Sequence, residues 1–120
     1  MHTSTSDNRN IGYRVYEVIN NRDYAALEEL FDPQVVRHAA GEIGLAKARK
    51  AMEKAFESGP KKFVVEDLLA EGDKVALRVS VEGFPPVTGK IGLTIIEIFR
   101  IENGRVVEIW GAGMAIPVME

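Results

Sequence analysis

The sequence predicts an α+β protein with one compact domain. Helical periodicity is confined to the residues before about 60, and strand-like alternation to those from about 62 to about 115. This segregation favours α+β, because a parallel βαβ sheet would alternate the two kinds of element. The 120 residues, of which 46% are hydrophobic, suffice for a single core. We therefore expect one domain over residues 1–120, with residues 1–8 as a flexible tail.

The composition excludes several classes of function. The net charge of −3 includes no basic block, so neither nucleic acid nor a membrane surface is an expected partner. No apolar run approaches the ~20 residues of a membrane-spanning helix, and the polar start lacks the apolar segment of a secretion signal. The absence of cysteine excludes disulfides and thiolate chemistry and favours a cytoplasmic location. With two histidines and no suitable carboxylate spacing, we expect no metal site.

Three helices are predicted in the first half of the chain. The first covers about residues 7–21 and carries one apolar stripe of Ile11, Val15, Val18 and Ile19. The second, "YAALEELF", is short; Asp23 is its candidate N-cap, and it stops before Pro33. The third covers about residues 45–57 and ends at "SGP". Between the last two helices, "QVVRHAA" is predicted to form a short strand.

Two hairpins are predicted in the second half. Lys62–Ala70 and Lys74–Glu82 flank the turn "EGD", and Ile91–Glu102 and Arg105–Ala112 flank the turn "ENG". The segment "GFPPVTGK" between the hairpins has the composition of a loop. These elements predict a curled, mostly antiparallel sheet with the helices packed on one face.

Glu97 lies in the middle of the apolar strand "TIIEIFRI". Side chains alternate along a strand, so Glu97 shares one face with Ile95 and Phe99, while the other face also carries isoleucine. We expect the odd-numbered face to meet the helices and the other face to meet a second subunit in a homodimer. Glu97 then points inward, where it needs a partner, a proton or a wet cavity. In the alternative, the faces are reversed and Glu97 is an ordinary surface carboxylate.

The last hairpin has two possible registers. A two-residue Asn103–Gly104 turn would place Glu97 opposite Trp110, whereas a three-residue turn would place it opposite Ile109. A slip of one residue exchanges the two faces of the last strand. We favour the three-residue turn, which directs inward Val107, Ile109 and Gly111.

Several segments together resemble a SnoaL-like protein of the nuclear-transport-factor-2-like superfamily: "NNRDYAALEELFDPQVVRH", "VEDLLAEGDKVALRV", "FPPVTGK" and "IIEIFRIENGRVVEIW". The resemblance covers about residues 11–110. It implies a cone-shaped, curved antiparallel sheet wrapped around three N-terminal helices, with an internal apolar pocket, and it implies a dimer. Proteins of this kind include polyketide cyclases, ketosteroid isomerases, epoxide hydrolases and dehydratases, as well as ligand-binding proteins.

The resemblance implies two catalytic candidates. Glu97 matches the pocket acid of ketosteroid isomerases, where a protonated carboxyl helps to hold an enolate oxygen. His38 matches the position of the general base in that family. Cyclases and epoxide hydrolases usually carry an aspartate where this chain has Gly111, and epoxide hydrolases carry an arginine and an aspartate where it has Val79 and Val81. Epoxide hydrolysis is therefore not expected.

The chemistry left open is proton transfer next to a carbonyl group, which needs a base and a donor to the enolate oxygen. His38 can act as the base near neutral pH, with protonated Glu97 as the donor, or the roles can be reversed. The expected pocket contacts are Tyr13, Tyr16, Met52, Val79, Val81, Phe99, Ile109 and Gly111. The prediction is a cofactor-free isomerase, cyclase or dehydratase acting on a hydrophobic carbonyl compound. The alternatives are a non-catalytic ligand-binding protein and a purely structural dimer.

Overall fold

The structure is a computed structural model that describes residues 5–57, 59–83 and 91–117. The described residues form α1 (Thr5–Asn20), a 3₁₀ turn (Tyr24–Ala26), α2 (Leu27–Leu30) and α3 (Leu45–Ala55). They also form strands β1 (Phe31–Arg37), β2 (Glu42–Ile43), β3 (Lys62–Glu71), β4 (Lys74–Glu82), β5 (Ile91–Glu102) and β6 (Arg105–Pro117). Most of the predicted "GFPPVTGK" loop lies outside the described residues. Within the described ranges, no helix combines the length and apolar character needed to span a bilayer.

The strands form one curved, open sheet in the order β2-β1-β6-β5-β4-β3. All neighbouring strands are antiparallel except β1 and β6, which run parallel. The helices pack on the inner face, where alternate residues of β4 are buried: Val75, Leu77, Val79 and Val81. The α+β prediction is confirmed.

Helix α1 lies unusually close to the sheet. A Cβ atom added at Gly12 would lie 2.7 Å from Cδ1 of Leu68, so glycine permits the close approach. At the start of the helix, Nδ2 of the buried Asn8 donates a hydrogen bond to the carbonyl oxygen of Gly72 at 3.0 Å. At its end, the amide of Asn20 donates to the carbonyl oxygen of Phe63 and accepts from its N–H, both at 2.8 Å. These contacts fix the position of α1 over the sheet.

The start of α1 differs from the prediction. Residues 5–8 were expected to belong to a flexible tail, but the helix begins at Thr5 and Asn8 is part of its anchor. Residues 1–4 lie outside the described part of the chain. Hydrophobic periodicity does not predict the first turn of α1, because this turn is held to the sheet by a polar hydrogen bond.

The last hairpin has a register that neither sequence alternative contained. Its turn has two residues, Asn103 and Gly104, with φ of 50° and 79°, as a tight type I′ turn requires. Arg100 then pairs with Glu108 while the next residue, Ile101, pairs with Val106, so β6 carries a β-bulge. The extra residue places Gly111 directly opposite Glu97.

The expected inward direction was right for two of the three last-strand residues. Ile109 is buried and Gly111 contacts Glu97, whereas Val107 is the bulge residue and the fully buried position is Val106. The three-residue turn is corrected to a two-residue turn followed by a bulge.

The outer face of the sheet carries exposed apolar side chains in this single chain. Ile96, Ile98 and Met114 are exposed there on β5 and β6, and Leu69 is exposed on β3. The homodimer through this face stays a prediction.

Candidate functional site

A cavity of about 170 Å³ lies between α1, α3 and the inner face of the sheet. Its walls are apolar side chains, including Phe31, Met52 and Phe99, apart from three polar residues: Tyr16, Arg37 and Glu97. An apolar hollow with a few converging polar groups is the usual form of a small-molecule site.

A second hollow of about 310 Å³ adjoins the first. Both are bordered by Arg37, Glu97 and Ile109, and the second adds residues of β5 and β6 such as Ile95 and Gly111. Glu97 and Arg37 therefore lie where the two spaces meet. A ligand larger than the inner cavity can extend past these two side chains into the second hollow.

Glu97 points inward from the middle of β5, as the odd–even alternation predicts. Its carboxyl oxygen Oε1 accepts a hydrogen bond from the hydroxyl of Tyr16, a buried residue on α1. The residue keeps some solvent exposure, but its carboxyl group is largely surrounded by protein. Burial removes water from the charged form and raises the pKa of Glu97 from 4.5 to about 7. The carboxyl group can thus both release and accept a proton near neutral pH.

Gly111 makes room for the Glu97 side chain. A Cβ atom at Gly111 would lie 2.9 Å from Cγ and 3.3 Å from Oε2 of Glu97. A side chain at this position would push the carboxyl group out of its place. The aspartate that the resemblance would place here is therefore incompatible with the observed position of Glu97.

Arg37 is a site residue that the sequence analysis missed. It lies opposite Ile109 in the β1–β6 pair and, like Ile109, borders the cavity. Its Nη1 atom is 3.1 Å from Oε2 of Glu42, and both side chains are partly buried. The alternation in "QVVRH" contained the signal, since Arg37 follows the buried Val35 by two residues and shares its face.

His38 lies on the outer face, and this corrects the expectation that it shares a pocket with Glu97. Its ring stacks on Trp110 with 4.8 Å between centroids, and Nε2 is 2.7 Å from Oε2 of Glu108. The side chain is 41% exposed. The physical reason is strand alternation: Arg37 takes the inward direction at this end of β1, so its neighbour His38 points outward.

The other predicted contacts fall into three groups. Those that border the inner cavity are Tyr16, Met52, Phe99 and Ile109, and Gly111 borders the adjoining hollow. Tyr13 is exposed on another side of α1, where it lies beside Arg14 and Leu30. Val79 and Val81 are buried in the core but do not border either hollow. The expected contacts of Tyr13, Val79 and Val81 with a ligand are thus not supported by their positions.

The charged residues near His38 form a network on the outer face. Hydrogen bonds from His38 and from Arg100 hold the pKa of Glu108 below its usual value. Hydrogen bonds to Glu108 and Glu102 raise the pKa of Arg100. Within the described residues, no group of three or more His, Asp or Glu side chains could hold a metal ion.

Comparison with known proteins agrees with this architecture. Residues 13–109 match the family model of the SnoaL-like domain. IdmH, a proposed polyketide cyclase from Streptomyces antibioticus, is 25% identical with a TM-score of 0.73, covering 88% of this chain and 91% of that chain. A proposed ketosteroid isomerase from Kribbella flavida is 19% identical with a TM-score of 0.76, covering 98% and 84%.

AclR from Streptomyces galilaeus, a proposed hydroxylase, is 23% identical with a TM-score of 0.75, covering 92% of this chain and 77% of that chain. No protein with a curated functional description matches significantly. The fold likeness extends over almost the whole chain, and the family match covers most of it. The chain belongs to the SnoaL-like domain family.

Proposed function

We propose that this protein binds a small hydrophobic carbonyl compound in the cavity and transfers a proton at the carbon next to the carbonyl group. Glu97 is the acid–base group, and no cofactor takes part. The observation that carries the proposal is the position of Glu97, whose carboxyl is buried in apolar walls and has a pKa raised to about 7.

The reaction needs few groups. Ionised Glu97 takes the proton from the α carbon, and the electron pair of that C–H bond moves into an enolate. The hydroxyl of Tyr16 donates a hydrogen bond to Glu97, and from this position beside the carboxyl group it can donate to an enolate oxygen instead. Return of the proton from Glu97 to another carbon completes an isomerisation. In a cyclisation, the enolate carbon instead attacks a second carbonyl group of the same molecule, and the alkoxide that forms takes the proton back from Glu97.

The cavity sets the size of the bound group. A cavity of about 150 Å³ is known to admit benzene, and the inner cavity has about 170 Å³. The inner part of the ligand is therefore about the size of a single ring. Any further part lies in the adjoining hollow, past Glu97 and Arg37.

The structural relatives support a substrate of this class. IdmH is described as a proposed polyketide cyclase and the Kribbella flavida protein as a proposed ketosteroid isomerase, and both descriptions name keto compounds. We carry over from them the class of substrate and not a particular molecule. The cytoplasmic location stays a prediction.

A second candidate function is ligand binding without turnover. It is favoured by the position of His38, because the expected pair of acid–base residues is not assembled in the cavity. In this case the polar residues of the cavity orient a ligand and catalyse nothing.

Hydrogen exchange separates the two functions. Acetophenone is incubated with the protein in deuterated buffer, and loss of its α-proton signal is followed by NMR. We expect the wild type to accelerate the exchange and Glu97→Gln to lower the acceleration by about 100-fold, the usual contribution of a positioned acid or base. Glu66→Gln, which removes an exposed carboxylate from β3, is the matched control and should retain the activity.

Three results would decide against turnover at Glu97. Exchange that survives Glu97→Gln would move the acid–base role to another group. Binding of acetophenone without exchange would establish the second candidate. Absence of both binding and exchange would contradict the proposal altogether.

A further inference from the structure

Arg37 and Glu97 border the same two hollows but do not form an ion pair with each other. Within the described residues, the ion pair of Arg37 is with Glu42, through Nη1. Because both hollows run along both side chains, a ligand there can reach the guanidinium group and the buried acid together.

The guanidinium group has more donors than Glu42 engages. Arginine carries five N–H donors in a planar fork, which matches the two oxygens of a carboxylate. Glu42 contacts the guanidinium group through Nη1. Among the residues that the structure describes, no further partner engages its other N–H groups, and these can bind a ligand.

We propose that Arg37 is a specificity-determining residue and that the substrate is a small apolar carbonyl compound that also carries a carboxylate. The carboxylate binds the free N–H groups of Arg37, and the apolar body fills the inner cavity. This inference rests on the proposed function, since it assigns the same cavity as the substrate site. It places the carbonyl group of the substrate between Arg37 and Glu97.

Recognition of the substrate and the reaction are carried out by residues on different strands. Arg37 is on β1 and Glu97 is on β5, with β6 between them, so the two groups meet the ligand from different strands. Anchoring one end of the ligand at Arg37 fixes the distance of its α carbon from Glu97. Holding reacting groups in place in this way accelerates reactions without any new chemical group.

The test compares benzoate with its neutral analogue benzamide, which has the same ring and nearly the same shape. Both are titrated into the full-length protein at neutral pH and followed by calorimetry or NMR. We expect benzoate to bind the wild type at least about 10-fold more tightly, in keeping with the strength of charge-assisted hydrogen bonds. Arg37→Gln should abolish this preference, and Arg37→Lys should keep part of it.

Two further variants guard against an indirect effect. Arg78→Gln removes the same charge from the exposed Arg78–Asp67 ion pair and should leave the preference for benzoate unchanged. Glu42→Gln removes the carboxylate that competes for Arg37, so it should keep or increase the preference. If Arg37→Gln does not fold, the Glu42→Gln variant decides: a folded variant that loses the preference overturns the inference.

The outcome for Arg37 is separable from the outcome for Glu97. Equal binding of benzoate and benzamide by the wild type, or a preference that persists in Arg37→Gln, would overturn the anion site and leave the exchange of acetophenone unaffected. If the preference for benzoate depends on Arg37 but the protein exchanges no ketone proton, the anion site is supported and the proposed proton transfer is contradicted.

Discussion

Replacing Glu97 with Gln should change how the stability of this protein depends on pH. The pKa of Glu97 is raised from its ordinary value of 4.5 to about 7 because folding removes the carboxyl group from water. The folded state therefore holds the proton more tightly than the unfolded state. The contribution of this proton to stability is complete below the unfolded pKa and is lost as the pH rises through the folded pKa.

The difference between the two pKa values sets the size of the effect. It corresponds to about 3 kcal/mol of unfolding free energy between strongly acidic and alkaline pH. About 2 kcal/mol of this should develop between pH ~5 and pH ~8. Glutamine has the same shape and cannot ionise, so the variant does not lose this free energy as the pH rises. Relative to the wild type, Glu97→Gln should gain about 2 kcal/mol of stability over that range.

Urea denaturation followed by circular dichroism measures this change. The unfolding free energies of both proteins are determined at the two pH values, and the difference between proteins is compared. Glu66→Gln, which alters an exposed carboxylate, should show the same difference at both pH values. A pH-independent difference for Glu97→Gln would refute the statement that folding buries this carboxyl group.

Three further changes test the surroundings of the site. Gly111→Ala should destabilise the protein by about 1–3 kcal/mol in a denaturant titration, because its methyl group meets Cγ of Glu97 at 2.9 Å. Gly113→Ala is its control, since there the nearest atom is 3.5 Å away, and equal losses in both variants would contradict the steric explanation. Tyr16→Phe should lower the rate of ketone exchange by about 100-fold, because the donor to the enolate oxygen is lost. It should also raise the pH midpoint of activity, because the ionised carboxyl group of Glu97 loses a hydrogen bond. An unchanged pH profile would argue against that hydrogen bond. His38→Ala should lower the unfolding free energy by at most about 1 kcal/mol and leave ketone exchange unchanged, because His38 pairs with Glu108 on the outer face. A loss of exchange in this variant would show that His38 takes part in the reaction.

The elements that the sequence located well are those with long, regular patterns. β4 alternates buried and less buried residues without interruption, and its predicted bounds Lys74–Glu82 are the observed ones. β2 has two residues, which is too short for any periodicity. The end of β6, "GAGMAIP", is poor in strand-forming residues, and it is a strand because it pairs along β5 as far as Ile91. Such pairing is a tertiary effect and leaves no local pattern.

The candidate site was predictable on one strand and not on the other. Glu97 lies in a long strand whose two faces can be compared, so its inward direction followed from alternation. His38 was predicted as a pocket residue because its position matches the general base of a related family. Strand alternation in β1, which makes Arg37 the inward residue, predicts the opposite direction for His38. The pairing of Gly111 with Glu97 could not be predicted, because it depends on a bulge that both register alternatives lacked.

That bulge makes the residue that faces Glu97 across the hollow depend on the register in which β5 and β6 pair. If the two strands paired regularly after the turn, with Val107 opposite Arg100 and no bulge, every later side chain of β6 would turn over. Trp110 would then enter the hollow beside Glu97, and Gly111 would face outward. Deleting Val107 would remove the bulge and keep Gly111 opposite Glu97, whereas a slip of one residue in β6 would replace the open space beside Glu97 with an indole ring.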